Sequence, residues 1–275
     1  MGLKMSPDAQ KIFFKIIYRS SAFALIALFI SLSLEKLLII ASAAIYGYSI
    51  GISYQEVAVI ADPTSWDQES VLIIYLFPYM VQAIIIVLLY INMQKWKPDP
   101  NYFRILSLWI MFFILFRVLG MLPSHLISKT GIYHAFNWLY LGKTLVITIS
   151  VVSMIIFFIS GIALLKGILF FTATYNNHVK AIKLPNMIMA ALLVPALVSC
   201  IISFLFYLPG LPENEMTGIA ILALVFSYTI IRLLTGRPEQ LPTGIFVREI
   251  FSPRQLFFIA FALIAIFRIV LGIFF

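Results

Sequence analysis

In the run FALIALFISLSLEKLLIIASAAIYGYSIGI, residues 23–52, an acid and a base stand side by side, Glu35 and Lys36, in an otherwise uncharged stretch. A carboxylate in such surroundings has three chemical uses: it can hold a proton, ligate a metal, or pair with a cation. Few other ionisable side chains lie within comparably apolar stretches: Arg117, Lys143 near the edge of one, and Arg268. Burying each at mid-helix costs about 2.5–3.5 kcal/mol, so each needs a partner or water. Helical rise allows a comparison of depth. Glu35 lies sixteen residues beyond Arg19, Arg117 thirteen beyond Arg104 and Arg268 fourteen beyond Arg254. At 1.5 Å per residue all three sit about 20 to 24 Å past an edge arginine, close to one level. Glu35 is therefore expected to pair with Arg117 or Arg268, and the three residues form an expected buried charge cluster. It would act either as a clamp between helices or as a polar relay. Lys36 points about 100° away around the helix and can extend toward an interface.

A second polar group, in MLPSHLISKTGIYHAFNW, carries His125, His134 and Asn137 at the outer boundary of two apolar stretches. Histidines nine apart do not share a helix face, which argues against a metal site and for interfacial histidines. His178 has no partner visible in the sequence. Cys200 is the one cysteine, so neither an internal disulfide nor a cysteine zinc site can form within the chain. There is no P-loop, no HExxH and no glycine-rich nucleotide loop, and neither cofactor nor metal is expected.

The elements that must position these groups follow from composition. The 275 residues are 63% hydrophobic and 11% charged, with mean hydropathy +1.06, which describes an all-α, polytopic membrane bundle. About seven transmembrane helices are expected, near 20–50, 71–93, 104–122, 140–165, 187–208, 217–235 and 255–275, in a single domain covering 1–275. Alternate connections are basic: Lys4, Lys11, Lys15 and Arg19; Lys95, Lys97 and Arg104; Lys166, Lys180 and Lys183; Arg232, Arg237, Arg248 and Arg254. The connections between them carry Glu56, Asp62, Asp67 and Glu69, then Lys129 alone, then Glu213 and Glu215. The positive-inside rule places the N-terminus in the cytoplasm and the C-terminus outside. It also explains the net charge of +8 without nucleic acid. Pro78 and Pro195 fall inside expected spans and predict kinks. Gly47 and Gly51 form a GxxxG that favours close helix approach. The expected partners are the lipid bilayer and other integral membrane proteins, and the high Ile, Phe and Lys usage suggests a bacterial inner membrane.

Three stretches together resemble the site-2 protease (M50) class of intramembrane zinc metalloproteases. Leu34-Glu35-Lys36-Leu37-Leu38, followed by Ala41-Ser42 and Gly47, stands where that family carries HExxH and small residues. LFPYMVQ, with Pro78, stands at its Ala-Gly-Pro segment, and residues 108–138 resemble the segment bearing its third zinc ligand, with Asn137 at the aspartate. The resemblance implies a shared helical framework without its catalysis, because Leu34 and Leu38 cannot bind zinc. Glu35 would then be a former catalytic base. Two function classes follow: a non-catalytic membrane scaffold or subunit, pseudoprotease-like, or a transporter or channel with a polar relay around Glu35, Arg117 and Arg268.

Overall fold

The computed structural model describes residues 6–53, 57–62, 64–95, 103–174, 183–208, 212–235 and 252–273. Lys4, Glu56, Lys97, His178, Lys180, Arg237 and Arg248, all named above, lie outside these. Among the described residues, six helical segments are long and apolar enough to cross a membrane: Pro7–Ile45, Gln68–Met93, Phe103–Ser128, Lys143–Thr174, Leu184–Tyr207 and Glu213–Thr235. The chain is an all-α polytopic bundle.

The first span is one helix, α1 (Pro7–Ile45). It opens on Ser6, whose hydroxyl accepts from the Ala9 amide at 3.3 Å, with Pro7 and Asp8 in the first turn. Its 39 residues stand about 58 Å long, far more than the hydrocarbon core requires. It ends at Ile45 rather than near residue 50, because Gly47 takes a left-handed conformation (φ +68°). The next residues form an antiparallel hairpin, β1 (Ser49–Ile52) with β2 (Val57–Ile60), pairing Ser49 with Ile60 and Ile52 with Val57. β-Branched residues supply two of the four positions in β1 and three of the four in β2, a pattern the apolar run conceals. Gly51 thus belongs to a strand, not to a helix–helix contact.

The second span divides into α2 (Gln68–Tyr75) and α3 (Phe77–Lys95) at Leu76, just before Pro78, whose missing N–H frees the Ile74 carbonyl. Asp67 caps α2: its carboxylate accepts the Ser70 amide at 2.7 Å, and the Ser70 hydroxyl lies 3.2 Å from the Asp67 amide. The Ser70 amide holds the Asp67 carboxyl below its ordinary value. A carboxyl depressed in the folded state stabilises above its unfolded pKa of about 3.9 and loses that contribution as pH falls through the folded value. Hydrogen exchange at residues 68–71 should accordingly quicken between pH 5 and pH 3 relative to that at residues 150–165, and should not do so in Asp67→Asn.

The third span is α4 (Phe103–Leu115), a π turn (Phe116–Gly120) and α5 (Leu122–Ser128). Met121 N–H reaches back five residues to the Phe116 carbonyl at 2.9 Å. Two features place the wide turn here. Pro123 cannot donate to the Leu119 carbonyl, and Gly120 sits where a Cβ would come within 2.7 Å of Phe116 Cδ2. After α6 (Ile132–Trp138), the long α7 (Lys143–Thr174) returns across the bundle. The fifth span repeats the device: α8 (Leu184–Ile188), a π turn (Met189–Leu193), then α9 (Val194–Tyr207) with Pro195 in its first turn. Ala191, whose carbonyl Pro195 cannot bond, accepts the Ser20 hydroxyl of α1 at 2.7 Å.

The last helices are α10 (Glu213–Thr235) and α11 (Pro253–Ile273). The side chains of α11 are described over Pro253–Ala265 and at Arg268, and the helix lies along α1. The core is an aromatic seam between α4, α7 and α10: Phe112 meets Phe226 at 5.1 Å and Phe157 at 5.9 Å, and Trp109 stacks on Phe113.

Gln82 on α3 is fully buried, and neither amide atom has a hydrogen-bond partner among the described protein atoms. An unsatisfied buried polar group costs about 1–3 kcal/mol. Gln82→Met, similar in shape, is expected to raise resistance to denaturation in detergent, and a loss of stability would show that the amide is engaged.

Candidate functional site

Arg117 projects from the π turn into the bundle and is 6% exposed. Its Nε donates to Glu35 Oε2 of α1 at 2.5 Å, and its Nη1 donates to both carboxylate oxygens of Glu215 of α10, at 2.8 and 2.9 Å. Both glutamates are 7% exposed. One guanidinium thus bridges acids 180 positions apart in the chain, tying α1, the α4–α5 turn and α10 at a single point. With both carboxylates ionised the trio carries one net negative charge. Two features offset this. Glu215 sits in the first turn of α10, at the positive end of its dipole, and the bonds to Arg117 are charge-assisted.

The α10 end is itself anchored, since the Ser124 hydroxyl of α5 donates to the Asn214 carbonyl. Around the trio lie further buried polar groups. The Tyr207 hydroxyl, at the end of α9, faces Glu215. Tyr79 of α3 and His125 of α5 form a pair, Oη to Nε2 at 3.1 Å, within electrostatic range of all three charges. The other ring nitrogen of His125, Nδ1, lies 3.2 Å from Thr130 Oγ1, which is 2.8 Å from Ser128 Oγ. A line of hydrogen-bonding groups therefore runs from the α5 end to Tyr79. These groups can hold and orient protons.

The expected cluster needs one correction. Arg268 does not join Glu35: its Nη1 donates to the Leu205 carbonyl at 2.9 Å and its Nη2 to the Leu208 carbonyl at 2.7 Å. These carbonyls lie at the C-terminal end of α9, the negative end of its dipole, so they attract a cation. Depth along a helix does not determine direction around it. The third member is instead Glu215, which the sequence reading places in an outer connection. A signal for it exists: Gly218, Leu222, Val225 and Thr229 mark the buried face of α10, and stepping back three from Gly218 reaches Glu215.

The outer group His125, His134 and Asn137 also separates. His125 is buried against Tyr79, whereas His134 and Asn137 are exposed on α6. His134 packs on Tyr75 at 5.2 Å and so ends an aromatic row of Tyr48, Trp66 and Tyr75. Among the described residues, no three His, Cys, Asp or Glu side chains are grouped to hold a metal ion. No hydrogen bond joins Asn137 to Glu35. Lys36 turns away from the trio as its helical position requires, donating to the Ser53 carbonyl at 3.2 Å, with its ammonium 5.9 Å from the Phe206 ring centre. Comparison with protein-family models, curated proteins and solved structures found no match.

Proposed function

We propose that this chain is a non-catalytic integral membrane protein that serves as a scaffold or subunit of a membrane protein complex. On this reading it has its N-terminus in the cytoplasm of a bacterium, its C-terminus outside, and a framework related to the site-2 proteases. The engagement of Glu35 by Arg117 carries the proposal. A carboxylate whose neighbour is a charge-assisted guanidinium is poorly placed to activate a water, and the flanking Leu34 and Leu38 offer no metal donor. The same bridge joins three helices and so suits a rigid frame that presents its outer faces to other membrane proteins.

The test is purification from native membranes in mild detergent, with mass measurement of the particle and identification of its proteins. The proposal expects a stoichiometric complex that survives Glu35→Gln.

A second reading, a transporter or channel, is favoured by the Thr130–His125–Tyr79 line beside a trio with one excess carboxylate. Proton or solute flux into liposomes, present in wild type and lost in Glu35→Gln, would select it over the scaffold.

A further inference from the structure

Two buried carboxylates, Glu35 and Glu215, share the single guanidinium of Arg117. The positive end of the α10 dipole amounts to about half a charge, so part of the excess negative charge stays unmatched. The nearest other cations are engaged elsewhere: Lys36 donates to the Ser53 carbonyl, and Arg268 donates to those of Leu205 and Leu208. The titratable groups that face the trio from the remaining elements are Tyr79 of α3, His125 of α5 and Tyr207 at the end of α9. None of these brings a fixed positive charge. Glu69 of α2, Glu213 of α10 and Lys143 of α7 are exposed. An uncompensated charge in apolar surroundings is costly enough that a carboxyl takes up a proton instead.

We infer that the trio is a binding site for one exchangeable proton, which enters from the α5 end of the bundle. Ser128 and Thr130 are partly exposed there, with their hydroxyls 2.8 Å apart. His125 joins that end to the interior, its Nδ1 3.2 Å from Thr130 Oγ1 and its Nε2 3.1 Å from Tyr79 Oη. An imidazole can accept a proton at Nδ1 and release the one on Nε2. The Tyr79 hydroxyl then accepts that proton and gives up its own, and a carboxylate oxygen of Glu35 takes it. Each relay group ends with as many protons as it began with, and the trio goes from one net negative charge to none. Two observations select Glu35 as the acceptor. Of the three charges it acts most strongly on the Tyr79 hydroxyl, and it receives one bond from Arg117 where Glu215 receives two. The inference goes beyond both readings of function, since a proton held at equilibrium requires neither partner proteins nor flux.

The test is infrared difference spectroscopy of the full chain in lipid vesicles, scanned over about pH 4–10 to cover ordinary and buried carboxyls. The probe is the C=O stretch of a protonated carboxyl. In wild type one carboxyl should titrate apart from the exposed acids. Its band should vanish in Glu35→Gln and in Glu215→Gln, each of which leaves a one-to-one pair with Arg117, and should persist in Glu213→Gln. After a pH jump, Tyr79→Phe, which removes a single oxygen, should slow the appearance of the band about tenfold or more, and His125→Phe should do the same. A wild type with no titrating carboxyl beyond the exposed acids would overturn the proposal. So would a band that survives both Glu35→Gln and Glu215→Gln, or uptake equally fast in wild type, Tyr79→Phe and His125→Phe.

Discussion

Arg117→Met destabilises the protein by about 3–5 kcal/mol, the largest effect expected of any single change at the trio. The substitution keeps much of the side chain's length and apolar stem, so the loss is electrostatic. It leaves Glu35 and Glu215, each 7% exposed, facing one another with no cation between them. Desolvated like charges cannot both stay ionised, and the structure must take up a proton or open toward water. Either outcome loosens the joint between α1 and α10. Equilibrium unfolding in mixed micelles of increasing SDS content measures the effect, with Arg268→Met as the comparison. That arginine serves two carbonyls at the end of α9, and its loss should cost far less. Equal losses in the two variants would mean that the buried bridge has no special weight.

The second large effect concerns Gly218. It stands three residues after Glu215 on the buried face of α10, and a Cβ there would overlap the sulfur of fully buried Met121 and lie 3.0 Å from its Cε. Glycine in a helix interior ordinarily costs about 0.5–1 kcal/mol relative to alanine, so at an indifferent site Gly218→Ala would stabilise. Here the opposite sign is expected. Gly218→Ala should cost about 1–3 kcal/mol, and Gly218→Val more, because either the Met121 thioether is displaced within a filled core or α10 shifts and carries Glu215 with it. Combining Gly218→Ala with Met121→Ala makes room for the new methyl and should recover part of the loss in the same unfolding assay. A stabilised Gly218→Ala would show that the close approach of α10 does not position the bridge.

The long apolar runs made the all-helical membrane fold legible, because the period and length of a spanning helix leave few alternatives. The hairpin at 49–60 was hidden for the same reason. Ile, Val and Ala serve a strand and a buried helix equally well, and only Gly47 marks the change. Pro78 and Pro195 signalled irregular helices, and both lie at the start of a new helical segment. The π turn under Arg117 was not legible in that way. It results from Pro123 and from the contact of Gly120 with Phe116, which is visible only once the helix is built. At the candidate site, counting rise placed Glu35 and Arg117 at one level, and they meet at 2.5 Å. The same count placed Arg268 at that level too, but the carbonyls of Leu205 and Leu208 at the end of α9 hold it instead. Glu215 was missed because two acids before an apolar run read as a solvated loop. The face that Glu215 occupies is set by Gly218 and Leu222 after it.

The most direct measurement is the unfolding free energy of the charge-free triple variant Glu35→Gln, Arg117→Met, Glu215→Gln beside Arg117→Met alone. If the bridge is a clamp that offsets its own desolvation, removing all three charges should return the protein to within about 1–2 kcal/mol of wild type. The triple variant should then be clearly more stable than the single one. A triple variant as unstable as Arg117→Met, or less stable, would contradict the clamp and require that the charges themselves hold the fold or its ligand.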